Sequence, residues 1–200
     1  MTNQQKTIAV FDFDGTLTTK DSFFRFLIFI SGRFTFWRKM IPLFPVFFSF
    51  AIKRMSNHDA KEKVLRSFLK NIDVIETAKS ADEFAQNVLP AILRKEAINK
   101  LNWHLSQDHQ VIVISASPEL YISSWCLLMN IQQYAGTKLV TKNNRFTGNI
   151  DGRNCHGKEK VNRLKSIVNF DSDLKIYAYG DTSGDRYLLE LADEPFYRSF

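Results

Sequence analysis

Cysteine is scarce in this chain of 200 residues. Cys126 and Cys155 stand alone, without CxxC spacing or histidines at zinc-ligand distance. Neither a disulfide framework nor a structural zinc is indicated, and a reducing compartment fits. A membrane-spanning run is also missing. The most apolar uncharged stretch, MIPLFPVFFSFAI from Met40 to Ile52, has thirteen residues and is interrupted by Pro42 and Pro45, whereas a span takes about 20. There is no internal repeat and no low-complexity tract. The lead-in MTNQQKTIAVF has too short an apolar run for a secretory signal, so a cytoplasmic core is expected.

Evenly spread charge is lacking too. The net charge is +6, yet Arg33 to Lys70 alone carries nine Lys or Arg against two acids, Asp59 and Glu62. The basic character therefore belongs to that segment, and the remainder is close to neutral. An excess of this kind favours an anionic partner: a phosphorylated molecule, an acidic lipid surface or nucleic acid. No nucleic-acid-reading motif accompanies it, so nucleic acid is not expected.

What is present begins at Lys6 to Thr18, KTIAVFDFDGTLT. Ile8 to Phe11 reads as a buried parallel strand that delivers Asp12 and Asp14 into a turn at Gly15. An ordinary turn after a strand would explain these acids if they stood alone. Further along, Val111 to Ile114 is a second apolar strand. It is followed by Ser115, which can donate to a phosphate oxygen or simply cap a helix opened by Ala116 to Pro118. A helix is expected over Glu119 to Met129, then a strand, Lys138 to Thr141, and a hairpin turning at Asn143-Asn144 with its second arm at Arg145 to Ile150. Helical spacing runs through Val161, Leu164 and Val168, preceded by Lys158 and Lys160. Leu174 to Tyr179 is another strand, and GDTSGD from Gly180 to Asp185 places Asp181 and Asp185 just beyond it. A helix through Tyr187 to Leu191 follows, and any last strand before Phe200 is expected to be short or irregular. Four acids at strand ends repel unless a hard cation lies among them, and Mg²⁺ suits such oxygen donors. The alternation of strands and helices implies an α/β fold with a doubly wound, Rossmann-like parallel sheet.

The stretch between the first two strands has a different composition. Phenylalanine, 18 in all, is concentrated in the first quarter of the chain, in FFRFLIFI (Phe23 to Ile30) and in the Met40 to Ile52 run. Asp21 and Ser22 suit the N-cap of a first inserted helix. Asn57 to Ser106 reads as helical throughout, with Ser80 or Asp82 as a cap for the helix holding Phe84 and a kink or stop at Pro90. Arg33, Arg38, Lys39, Lys53 and Arg54 bracket the apolar runs and Trp37 sits at one boundary, as in segments lying at a membrane surface. A buried helical pair is the plainer alternative.

DFDGT, VIVIS, a lysine at 158 or 160, and GDTSGD resemble, in order, the four motifs of the haloacid dehalogenase superfamily. The helical insertion resembles its phosphoserine-phosphatase-like branch. Asp21, the Pro-broken LFP run and NCHGKEKV (Asn154 to Val161) resemble more particularly phosphatidylglycerophosphatase C and its relatives. This resemblance implies a catalytic core over residues 1–20 and 106–200, with a helical cap over 21–105. It implies Asp12 as nucleophile, forming an aspartyl phosphate, and Asp14 as general acid and base. It further implies Mg²⁺ held by Asp12, the Asp14 carbonyl and Asp181, with Asp185 in support, and a phosphoryl group held by Ser115 and a lysine. Lys158 fits phosphoserine phosphatase spacing and is slightly favoured over Lys160, which fits the GxxKV pattern. His156 is read as a solvated loop histidine.

The expected activity is Mg²⁺-dependent hydrolysis of a phosphomonoester, a lipid phosphate such as phosphatidylglycerophosphate, by an enzyme peripheral to the inner face of the membrane. The alternatives are a soluble phosphatase of small metabolites such as phosphoserine, and a non-catalytic membrane-surface or interaction protein on the same fold.

Overall fold

A computed structural model of the chain describes residues 6–170 and 173–200. Residues 1–5, the polar part of the lead-in, lie outside that range. Five strands form one parallel sheet in the order β3-β2-β1-β6-β7. They are β1 (Thr7–Phe11), β2 (Gln110–Pro118), β3 (Gln133–Thr137), β6 (Lys175–Gly180) and β7 (Glu194–Tyr197). β1 is central, with Val10 paired to Ile112 on one side and to Ala178 on the other. A two-stranded antiparallel hairpin, β4 (Leu139–Lys142) and β5 (Arg145–Ile150), stands apart from the sheet.

Strand alternation sends side chains to two faces, and both are covered. Ala9, Phe11, Val111, Val113 and Tyr179 point to one face. They pack against α5 (Val74–Asn87), α6 (Lys95–Ser106) and α7 (Glu119–Leu128). Ile8, Val10, Ile112, Ile114 and Ala178 point to the other, against α8 (Lys158–Ile167) and α9 (Arg186–Leu191). This is the doubly wound α/β arrangement expected from the alternating pattern.

A third cluster belongs to the insertion. It joins α1 (Ser22–Ser31), α2 (Arg33–Met40) and α4 (Asn57–Leu69), and Phe146 and Ile150 of the hairpin pack into it. α1 faces two ways: Phe26 packs with the sheet cluster, while Phe23 and Leu27 pack with the inserted helices. Between α2 and α4 lies α3 (Phe44–Ala51), which has no buried residue. A 3-10 turn over Ile41–Leu43 contains Pro42, and Pro45 sits in the first turn of α3, so the two prolines mark the break between α2 and α3.

Local chemistry fixes several boundaries. Asp21 caps α1 as expected, its carboxylate accepting from the Phe24 amide at 3.0 Å. The helix holding Phe84 starts earlier than expected. Its cap is Asp73, which accepts from the Ile75 and Glu76 amides, and Ser80 and Asp82 lie inside α5. The stretch from Asn57 to Ser106 is likewise not one continuous helical run. Asn71 at φ 66° breaks it after α4, and Pro90 stops α5 in a 3-10 turn over Leu89–Ile92. The Asn143-Asn144 turn has both residues at positive φ (50° and 58°), the requirement of a tight hairpin. β3 and β7 are short edge strands, and β3 had no alternating signal to reveal it.

Candidate active site

β1, β2 and β6 end side by side, and their carboxyl ends carry the motif residues. This is where parallel sheets place their ligands. β1 stops at Phe11, and the Asp12 amide donates to the Tyr179 carbonyl at 2.9 Å, which ties the first acid to the neighbouring strand. Phe13 buries its ring in the sheet cluster, so Asp12 and Asp14 fall on the opposite, open side of the turn. Gly15 sits at φ 84°, and a Cβ there would lie 2.2 Å from an Asp181 carboxylate oxygen. Only glycine allows the two acidic loops to approach so closely.

The floor of the site is a buried ion cluster. The Lys160 ammonium donates to Asp12 and to Asp185, both at 2.5 Å, with Lys160 2% exposed and Asp185 fully buried. Asp185 also accepts from the Thr182 amide at 3.0 Å, the Thr182 hydroxyl at 2.9 Å and the Asp181 amide at 3.2 Å. Burial pushes Asp12 up to about 7 although Lys160 pulls it down. For Asp185, burial also acts upward, but Lys160 and the Thr182 hydrogen bonds outweigh it and hold the carboxyl below its usual value. Burial opposes the Lys160 charge, but the two carboxylates more than compensate and raise its pKa. Asp181, half-buried, accepts from the Thr16 hydroxyl at 3.2 Å, and burial raises its pKa.

Asp14 is held separately. One carboxylate oxygen accepts from the Ser22 amide at 2.7 Å, and the other accepts a short bond from the Ser117 hydroxyl. Ser115 is buried and its hydroxyl accepts from the Ser117 amide at 3.0 Å. A cavity of about 250 Å³ opens over these groups. Asp12, Asp14, Ser115, Lys160 and His156 line it from the core, and Asp21, Asn57 and Lys61 line it from the inserted helices.

The structure thus gathers Asp12, Asp14, Ser115, Lys160, Asp181 and Asp185. Lys158 is not among them: its ammonium lies over the Tyr187 ring, 5.3 Å from the centroid, on the outer side of α8. The reason is helical geometry. Two residues apart on a helix are about 200° apart around its axis, so 158 and 160 cannot both face the site. His156 is exposed, as expected, but at the rim of the cavity.

Three contributors escaped the sequence reading. Ser117 follows Ser115 with the period of a strand, but β2 was expected to stop at Ser115, whereas it runs to Pro118 and the helix opens only at Glu119. Ser22 acts through its backbone amide, which has no sequence signature. Lys61, counted only as part of the basic segment, reaches from α4 to donate to the Ala116 carbonyl at 2.5 Å. Burial pushes its pKa down to about 8, against the pull of Asp14 and Asp21.

Asp12, Asp181 and Asp185 each offer a carboxylate oxygen, all within 4.8 Å of one another. Such hard oxygen donors at that spacing fit a Mg²⁺ ion. The Asp14 side chain is committed to Ser22 and Ser117 and is not part of that group.

The family model for the haloacid dehalogenase-like hydrolases matches residues 9–190. Protein CicA of Caulobacter vibrioides is 35% identical over 196 residues, covering 96% of this chain and 86% of that protein. A histidinol-phosphatase of Neisseria meningitidis is 33% identical over 109 residues, 49% of each chain. In fold, the chain is similar to a solved phosphoserine phosphatase carrying an analogue of its phospho-aspartyl intermediate. The TM-score is 0.59 at 16% identity, covering 94% of this chain and 84% of that one. With the motifs in order on the sheet and the family model spanning nearly the whole chain, the protein belongs to the haloacid dehalogenase-like hydrolase family.

Proposed function

We propose that this enzyme is a Mg²⁺-dependent phosphomonoesterase working through an aspartyl phosphate on Asp12, with a membrane lipid phosphate such as phosphatidylglycerophosphate as its substrate. The observation that carries the chemistry is the pairing of Asp12 with buried Lys160 beside an independently held Asp14. The Asp12 carboxylate attacks phosphorus, the bond to the ester oxygen breaks, and Asp14 gives that oxygen a proton. Asp14 then takes a proton from water, whose oxygen attacks phosphorus and releases inorganic phosphate and Asp12. Ser115 and Lys160 hold the phosphoryl oxygens as charge develops, already in place and shielded from water. Mg²⁺, held by Asp12, Asp181, Asp185 and the Asp14 carbonyl, would neutralise the phosphoryl group and orient it.

Residues 21–105 act as the cap, and α1 to α4 are the part that closes over substrate. α3 and its flanks are the membrane face. Phe34, Ile41 and Phe44 are 82%, 72% and 70% exposed. Each forgoes burial worth about 1.5–3 kcal/mol. Arg33, Arg38, Lys53 and Arg54 are exposed around them, the combination that anchors a protein at an anionic lipid surface. Among the described residues no helix is long and apolar enough to cross a membrane.

A second reading, a phosphatase of small soluble metabolites, draws support from the similarity to a histidinol-phosphatase. Mg²⁺-dependent phosphate release from phosphatidylglycerophosphate, phosphatidate, phosphoserine and histidinol phosphate separates the two. Turnover of the lipids is expected, and turnover confined to the water-soluble esters would contradict it.

A further inference from the structure

The cavity over the acids does not end at the inserted helices. A second cavity of about 340 Å³ adjoins it between α1, α3 and α4, and the two share Asp21, Phe23, Asn57 and Lys61 in their walls. Beyond that boundary the lining is entirely apolar: Phe24, Phe47, Phe50, Ala60 and Val64. The polar boundary groups already have partners. Asp21 accepts from the Phe24 amide, Lys61 donates to Ala116, and Asn57 accepts a short bond from Asn154. A polar substrate arm passing these groups into the second chamber would therefore lose its hydration and meet only apolar side chains. A hydrocarbon arm would lose nothing.

The outer wall of this chamber is α3. Phe47 and Phe50 line the chamber, while Phe44 and Phe48 on the same helix are exposed. One short helix thus separates the apolar chamber from the exposed apolar face. The Phe23 ring, with the Lys61 ammonium 5.1 Å from its centroid, stands where the chamber meets the acids.

We propose that the chamber between α1, α3 and α4 is a subsite for a hydrocarbon arm of the substrate, whose phosphate lies at Asp12 and whose chain passes Phe23 and Lys61. This rests on the phosphomonoesterase reading and names the substrate class more narrowly: a phosphomonoester that carries a hydrocarbon arm, drawn from the membrane behind α3.

The test uses soluble monoalkyl phosphates from ethyl to decyl, kept below their aggregation concentration, with Mg²⁺ and no vesicles. For the intact protein, kcat/KM is expected to rise about two- to fourfold per methylene over the first several carbons, mainly through KM. Ala60→Phe, which fills the chamber, and Phe50→Asp, at a position exposed enough to keep the fold, should both flatten that slope. The readout is the decyl-to-ethyl ratio within each variant. A flat series in the intact protein, with all esters hydrolysed, would overturn the subsite and leave the phosphatase standing. A slope unchanged in both variants would place the chain elsewhere and also overturn it. Absence of phosphate release from every ester would remove the phosphatase reading itself, and the subsite with it.

Discussion

The floor of the active site and α3, the roof of the apolar chamber beside it, are opposites in how they satisfy their side chains. Around Lys160 the charged groups are buried or half-buried and all bonded: two carboxylates on one ammonium, and four further hydrogen bonds holding Asp185 and Asp181. In α3 no residue is buried, and Phe44 and Phe48 leave most of their rings exposed. Groups in the first region depend on one another, so removing one leaves a buried charge uncompensated. Groups in the second do not depend on one another. Substitutions should therefore damage chemistry and stability together on the floor, and should change only recognition on the roof.

The sharpest contrast within the floor is between two lysines. Lys160→Ala is expected to lower kcat by about two to three orders of magnitude and to destabilise the fold by about 3 kcal/mol through the unpaired acids. Lys158→Ala should leave both close to the parent protein. Steady-state phosphate release and thermal unfolding of the two variants decide it, and equal losses would dissolve the distinction. Ser117→Ala is milder because the Ser22 amide still holds Asp14. A loss of about tenfold to a hundredfold in kcat with KM unchanged is expected, and a change confined to KM would mean that Ser117 does not position Asp14.

On the roof, Phe44→Ser with Phe48→Ser should weaken co-sedimentation with phosphatidylglycerol vesicles by about tenfold or more while hydrolysis of a soluble ester is kept. Unchanged sedimentation would remove the membrane face. The smallest effect is expected where floor and roof meet. Burial holds Lys61 at about 8 in the folded chain, below its unfolded value, so the unfolded chain binds more protons between about pH 8 and 10.5. Stability therefore rises with pH across that window. Relative to Lys61→Met, the parent protein should gain about 1–2 kcal/mol from pH 8 to 10, allowing for the partial exposure of this side chain. A constant difference would show that Lys61 is not desolvated.

The same contrast explains what could be read from the sequence. The floor was legible because strand ends, glycines and acids occur in a fixed order, and only a Gly15 without a Cβ lets Asp181 come so close. The lysine pair shows the limit. Spacing to Val161 favours Lys158, but the rotation of α8 decides which lysine faces the acids. Ser22 was invisible as an Asp14 partner because a backbone amide carries no residue type. In the insertion, composition announced apolar and basic segments. It did not say that α5 and α6 would pack on the sheet with Phe84 and Leu101 while α3 stayed exposed. Helical periodicity is the same in both cases, and tertiary contact alone distinguishes them.

The proposed chemistry turns on Asp12, paired with Lys160, as the nucleophile. Hydrolysis of 4-nitrophenyl phosphate at neutral pH with Mg²⁺, by the parent protein and by Asp12→Asn, both shown to be folded by circular dichroism, tests it most directly. Release of phosphate by the parent is expected, with a loss on the order of 10⁴-fold or more in the variant. Comparable turnover by Asp12→Asn would contradict it.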